Sequence, residues 1–132
     1  MDRIGTQTGR FQASKPNFSA LPRTGDCYSA AGRLVLSHRF MDEHPDAVLI
    51  HAAVVNTGAH AGQLMGHAWV EADGMAFDFA NGGERCIPAV LYRSVGKPTM
   101  IHEYTAKEAR ALMVETEHFG PWADELLSDK VL

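Results

Sequence analysis

Apolar positions recur at helical spacing over Tyr28, Ala31, Leu34 and Val35, with His38 more loosely in step, which predicts a helix from about Cys27 to Met41. Thr24 or Asp26 can cap its start, and His44-Pro45 ends it. The pattern then changes. Ala47 to Val55 is a nearly unbroken apolar run holding only His51, as expected of a strand buried on both faces. A glycine-punctuated loop follows over Asn56 to Gly62. Leu64–Glu71 and Met75–Phe79 then flank Ala72-Asp73-Gly74, a tight hairpin signal. A further strand fits Thr99–Tyr104. Thr105, with Glu108 three residues on, forms a capping box for a helix to about His118. Gly120-Pro121 stops that helix, and a short terminal helix is expected through Leu127.

Helix, then clustered strands, then helix is the order of an α+β fold: a mainly antiparallel sheet with the first helix packed on it. Residues 1–22 break every periodic pattern with Gly5, Gly9, Pro16 and Pro22. They read as an extended or flexible arm, anchored at most by Phe11 and Phe18, ahead of a single domain over 23–132.

Composition narrows the class. A chain of 132 residues, 45% apolar and 21% charged, suits one globular core. A net charge of −4 without a Lys/Arg run argues against nucleic acid as a partner. The longest apolar run is far shorter than the ~20 residues of a bilayer span, so no membrane is expected. Two cysteines, Cys27 and Cys86, are too few for a disulfide scaffold. With no apolar leader after Arg3 and Arg10, the expected location is the cytoplasm, both thiols free.

The chemistry gathers on three residues. Cys27 stands where the first helix begins, and there unpaired N–H groups and the helix dipole favour the thiolate, which is the nucleophilic form. The same N–H groups can hold a developing oxyanion. His67 heads a strand on which His67, Trp69 and Glu71 share one face. The hairpin carries Asp78 to the neighbouring strand, within reach of the imidazole, where a carboxylate would fix its tautomer. The flanking Phe77 and Phe79 point to buried surroundings, in which a carboxylate needs a partner.

Cysteine at a helix start, His67-Ala68-Trp69-Val70-Glu71 on a strand and aspartate on the next resembles the transglutaminase-like branch of the papain-like cysteine peptidase superfamily. The match covers roughly Gly25 to Asn81. The resemblance implies Cys27 as nucleophile, His67 as base and Asp78 as orienting acid. It also implies a papain/transglutaminase-like core, amide or ester acyl transfer, and no metal or other cofactor. The chain as a whole is similar to small bacterial and phage proteins that join a Cys-Tyr start, this His-Ala-Trp block and a Gly-Pro-Trp end. The hairpin is shorter than usual in transglutaminases, and Asn81 competes with Asp78 as orienter, since papain-type enzymes use asparagine. A glutamine donor at the usual distance before the cysteine is not evident; Gln12 and Asn17 are the alternatives.

The remaining histidines show no metal-binding spacing: His38, His44, His51, His60, His102 and His118 supply no paired helical ligands. His51 is expected as a hydrogen-bonded core residue, and Cys86 is expected to pack. Tyr28, Trp69, Tyr92, Tyr104 and Trp122 fit the core better than a pocket. Three functions compete: a cysteine hydrolase (peptidase, amidase or deamidase) on an amide-containing protein or peptide, a transglutaminase-type acyltransferase, and a non-enzymatic binding module on the same fold. The oligomeric state is open.

Overall fold

The computed structural model describes residues 26–56 and 61–127. The expected arm, and with it Thr24, Gln12 and Asn17, lies outside the described residues, as do most of the loop before Leu64 and the chain's last five positions.

Among the described residues the fold is α+β, with five strands in one antiparallel sheet and four α-helices. In chain order these are α1 (Cys27–Leu36), α2 (His38–Glu43), β1 (Val48–Val55), β2 (Leu64–Ala72), β3 (Met75–Asp78), β4 (Arg85–Pro88), α3 (Ala89–Gly96), β5 (Thr99–Thr105) and α4 (Ala106–Thr116). Short 3₁₀ turns occupy Ala80–Gly82 and Asp124–Leu126. The sheet order is β4-β3-β2-β1-β5.

β1 is an interior strand of the sheet, flanked by β5 and paired along its length with β2 from Val48–Glu71 to Val55–Leu64. Helices cover both of its sides, which is why the run reads as continuously apolar. Leu49 faces a core built with Tyr28, Ala31, Val35, Ala68, Val70 and Ala109, beneath α1 and α4. Ile50, Ala52 and Val54 face the opposite core with Met65, Trp69 and Ala76, packed by Ala89 and Tyr92 of α3. Burying side chains such as Leu49, Ile50 and Val70 contributes roughly 1.5–3 kcal/mol each.

The β2–β3 hairpin turns through Asp73 (φ 54°) and Gly74 (φ 76°), the two left-handed positions of a type I′ turn. His44 at the end of α2 lies 2.7 Å from the Asp73 carboxylate and ties the turn to that helix. The capping box at Thr105 and Glu108 is formed in both directions. In α1, Gly32 sits so close to Phe119 that a Cβ there would come within 2.4 Å of its ring.

Three expectations need correction. The first helix does not run to Met41: it ends at Leu36, and Ser37 turns extended and caps a separate helix, its hydroxyl accepting the Phe40 N–H at 3.2 Å. The terminal helix is only the 3₁₀ turn Asp124–Leu126. Cys86 does not pack; it is exposed on the edge strand β4. The strand–helix unit β4–α3 had no counterpart in the hydrophobic pattern. No helix among the described residues is long and apolar enough to cross a membrane.

Candidate active site

Cys27 is the first residue of α1 and is 1% exposed. Asp26, at the cap position, makes no side-chain bond to its own helix. Its carboxylate instead accepts the Asn81 N–H at 2.6 Å, across 55 residues of sequence. The start of the helix is thereby fastened to the turn that follows Asp78.

His67 lies on β2 beyond the last β2–β3 pair, Val70–Phe77. Where that ladder stops, the imidazole is met from two sides. Its Nε2 is 2.9 Å from Asp78 Oδ2 and 3.0 Å from the Tyr92 hydroxyl oxygen. The Cys27 side chain hydrogen-bonds the same ring. With Nε2 engaged by Asp78 and Tyr92, the nitrogen that remains for the sulfur is Nδ1. The fold thus joins Cys27, His67 and Asp78, the three residues expected from the sequence. Asn81 takes another part: exposed, at φ 58°, it offers its backbone N–H to Asp26.

Asp78 is 2% exposed and heavily bonded. Oδ1 accepts the Ala80 N–H at 3.1 Å. Oδ2 accepts from His67, from the Tyr92 hydroxyl at 2.5 Å and from Arg85 Nη2 at 3.0 Å. Tyr92 and Arg85 were not legible as site residues. Arg85 stands directly opposite Asp78 in the β3–β4 register, and Tyr92 reaches in from α3. α3 is itself held by Arg93, which grips Glu71 through Nε at 2.8 Å and Nη2 at 3.1 Å. Glu71 also accepts the Trp69 indole N–H at 2.9 Å, and the Trp69 ring lies 5.2 Å from Tyr92 and 6.0 Å from His67.

The charges follow from these contacts. Burial works against a charged His67, but its hydrogen bonds to Asp78 and Cys27 and their negative charge outweigh it and raise the imidazole to about 9. Burial likewise works against an ionised Asp78, yet hydrogen bonds from His67 and Tyr92 and the His67 charge hold its carboxyl well below the usual range. Burial and the neighbouring carboxylate push the Tyr92 hydroxyl far above its ordinary value, so it remains a donor. Near neutral pH the ring is therefore a cation beside the ionised Asp78 carboxylate.

His51 departs from expectation. It is fully buried, but neither ring nitrogen finds a hydrogen-bond partner among the described residues. Tyr28, Tyr104 and Trp122 surround it at ring distances of 4.8, 5.2 and 4.9 Å, the two tyrosines edge-on. Burial first, then the nearby His102 and His118, lower it to about 3, so it stays neutral. Among the described residues no three His, Cys, Asp or Glu side chains are grouped as a metal would need. An open groove of about 320 Å³ runs beside the start of α1, between Asp26, Arg33, Leu34, Phe79 and Glu84. No family model, curated protein or solved structure matches this chain.

Proposed function

We propose that this protein is a cysteine-dependent hydrolase of amide bonds in a protein or peptide, working through Cys27, His67 and Asp78 on a papain/transglutaminase-like core. The observation that carries the reading is His67, buried and hydrogen-bonded by Asp78 on one side and by the Cys27 side chain on the other. A structural histidine has no need of a thiol at a helix start and a carboxylate at its far nitrogen.

The chemistry then runs in two halves. The Cys27 thiolate adds to the amide carbon, and the carbonyl electrons move to oxygen. In this reading the first-turn N–H groups of α1 receive that oxyanion. His67 gives its proton to the departing amine as the C–N bond breaks, leaving a thioester. Water then adds to the thioester carbon while His67 takes a proton from it. Collapse expels the sulfur, which returns as thiolate beside the reprotonated imidazole. If an amine replaces water the same steps give acyl transfer, as in a transglutaminase. The two free cysteines fit a reducing compartment, the cytoplasm.

A second reading has its own support. Cys27 is 1% exposed and does not line the groove beside α1, as a non-enzymatic binding module on this fold would have it. Intact-mass spectrometry with activated acyl esters and a glutamine-peptide panel separates the readings. The enzyme reading expects a single acyl adduct on Cys27, lost in Cys27→Ala and slowed at least 100-fold in His67→Ala. Hydrolysis releases ammonia or a new carboxylate, whereas transfer incorporates an added amine. A thiol that alkylates no faster than free cysteine at pH 7, with no turnover across the panel, overturns the enzyme and leaves the binding module.

A further inference from the structure

Three donors converge on one oxygen of Asp78, and a His–Asp pair requires only one of them. Oδ2 takes the His67 Nε2–H, the Tyr92 O–H and an Arg85 N–H, while Oδ1 takes the Ala80 N–H. We propose that Tyr92 and Arg85 are positioning residues that act through Asp78, fixing which His67 nitrogen carries the shared proton and which one faces Cys27.

The hydrogen count decides the tautomer. Tyr92 has a single hydroxyl hydrogen, and at 2.5 Å from Asp78 Oδ2 that hydrogen belongs to the carboxylate. Toward His67 Nε2, 3.0 Å away, the phenol oxygen can only accept. Nε2 therefore faces two acceptors and must carry a hydrogen, shared between them. A neutral ring protonated on Nδ1 would turn a bare nitrogen on two oxygens and lose both bonds. Tyr92 thus keeps the Nδ1 lone pair toward the sulfur in the neutral ring.

Arg85 acts on charge. Its side chain is two-thirds exposed, and Asp78 is its only hydrogen-bonded partner among the described residues. By sharing Oδ2 it draws on the negative charge that otherwise holds the proton on His67. Among the described residues the charged and titratable groups around the imidazole are Cys27 from α1, Asp78 from β3, Arg85 from β4 and Tyr92 from α3; on β2 itself, Glu71 is ion-paired with Arg93. Arg85 is, among the described residues, the one fixed cation that touches this acid. Without it His67 holds its proton more tightly and releases it later.

The proposal rests on the reading in which His67 serves Cys27, but its test does not use turnover. Ring ¹⁵N shifts of His67 are followed by NMR across the pH range in the full chain carrying Cys27→Ala, which removes the coupled thiol. Neutral His67 is expected with its hydrogen on Nε2. Tyr92→Phe leaves Asp78 alone to hold that hydrogen and should let a minority of the Nδ1–H tautomer appear. Arg85→Gln should raise the His67 midpoint by about half a unit, roughly threefold in proton affinity, as expected for a partly screened charge. Arg85→Lys should restore it. Both sites accept these changes conservatively, and far-ultraviolet circular dichroism confirms folding. A neutral ring protonated on Nδ1 in the parent, or tautomer and midpoint unchanged in both variants, overturns the proposal. Since no thiol is present, that outcome leaves the nucleophile reading untouched. Conversely, an inert Cys27 in the acylation assay leaves the tautomer and midpoint results standing.

Discussion

The Asp26 carboxylate receives the backbone N–H of Asn81 at 2.6 Å, tying the residue before Cys27 to the turn that leaves Asp78. One bond thereby fixes the distance between the two ends of the Cys27–His67–Asp78 chain. The bond is exposed, so its effect on stability is small, about 1 kcal/mol. Its effect on position is larger. Asp26→Ala should slow alkylation of Cys27 at pH 7 several-fold while the urea midpoint falls only slightly. Asp26→Asn keeps an accepting oxygen and should lie near the parent. Equal rates for all three chains would show that the tie does not position the thiol.

Gly120 fits against His51 because it has no side chain. A Cβ there would lie 2.5 Å from His51 Cε1, and the residue already has φ of 111°. Gly120→Ala should cost about 2–4 kcal/mol through collision and backbone strain together. Chemical denaturation measures it, and a loss under 1 kcal/mol would mean that the segment shifts away freely.

Stability should peak near pH 6.5, because two buried histidines limit it from opposite sides. His51, lowered to about 3, binds no proton in the folded chain over most of the acid range, whereas an unfolded histidine does. Its contribution is complete above about 6.5 and is lost as pH falls toward 3, by roughly 1 kcal/mol per unit. His67, raised to about 9, has the reverse sign: its contribution is complete below about 6.5 and is lost as pH rises through 9. Asp78, held below its ordinary range, adds to the acid loss only under about pH 4. Thermal unfolding from pH 4 to 10 should give this dome. His51→Leu should flatten its acid side and leave the alkaline side; an unchanged acid side would remove His51 as the cause.

Arg93 anchors the helix that delivers Tyr92. Its partner Glu71 is mostly buried, and both Glu71 oxygens are engaged. Among the described residues Arg93→Ala leaves that carboxylate partnered only by Trp69, and it should destabilise by about 1–3 kcal/mol. Arg93→Lys, lacking the two-pronged geometry, should recover less than half. By contrast, Thr105→Ala removes the α4 cap for about 1 kcal/mol but should not alter the Cys27 alkylation rate, since Asp78, Tyr92 and Cys27 reach His67 from β3, α3 and α1 rather than α4.

The parts of the site that follow from local pattern were legible. A helix start at Cys27, a strand at His67 and a type I′ hairpin ahead of Asp78 each arise from spacing and turn chemistry within about ten residues. β4 and α3 were not legible, for a physical reason. α3 turns Ala89, Tyr92, Arg93 and Gly96 inward at helical spacing and leaves Val90, Leu91 and Val95 exposed, the reverse of an ordinary amphipathic helix. Its inner face is selected for hydrogen bonding to Asp78 and Glu71, so hydrophobicity points the wrong way. Ser37 misled differently: the apolar spacing continues through it, but its hydroxyl competes for the backbone and starts a new helix.

The sequence by itself determined the α+β order, the strand buried on both faces and the three residues that meet, because local periodicity and turn preference act over short spans. Tertiary structure alone decided that Asp78 and not Asn81 bonds His67, that Tyr92 and Arg85 share its oxygen, and that His51 is boxed in without a hydrogen-bond partner among the described residues. Those outcomes depend on register between strands and on helices arriving from distant segments, where a single hydrogen or one ångström settles which group is donor and which acceptor.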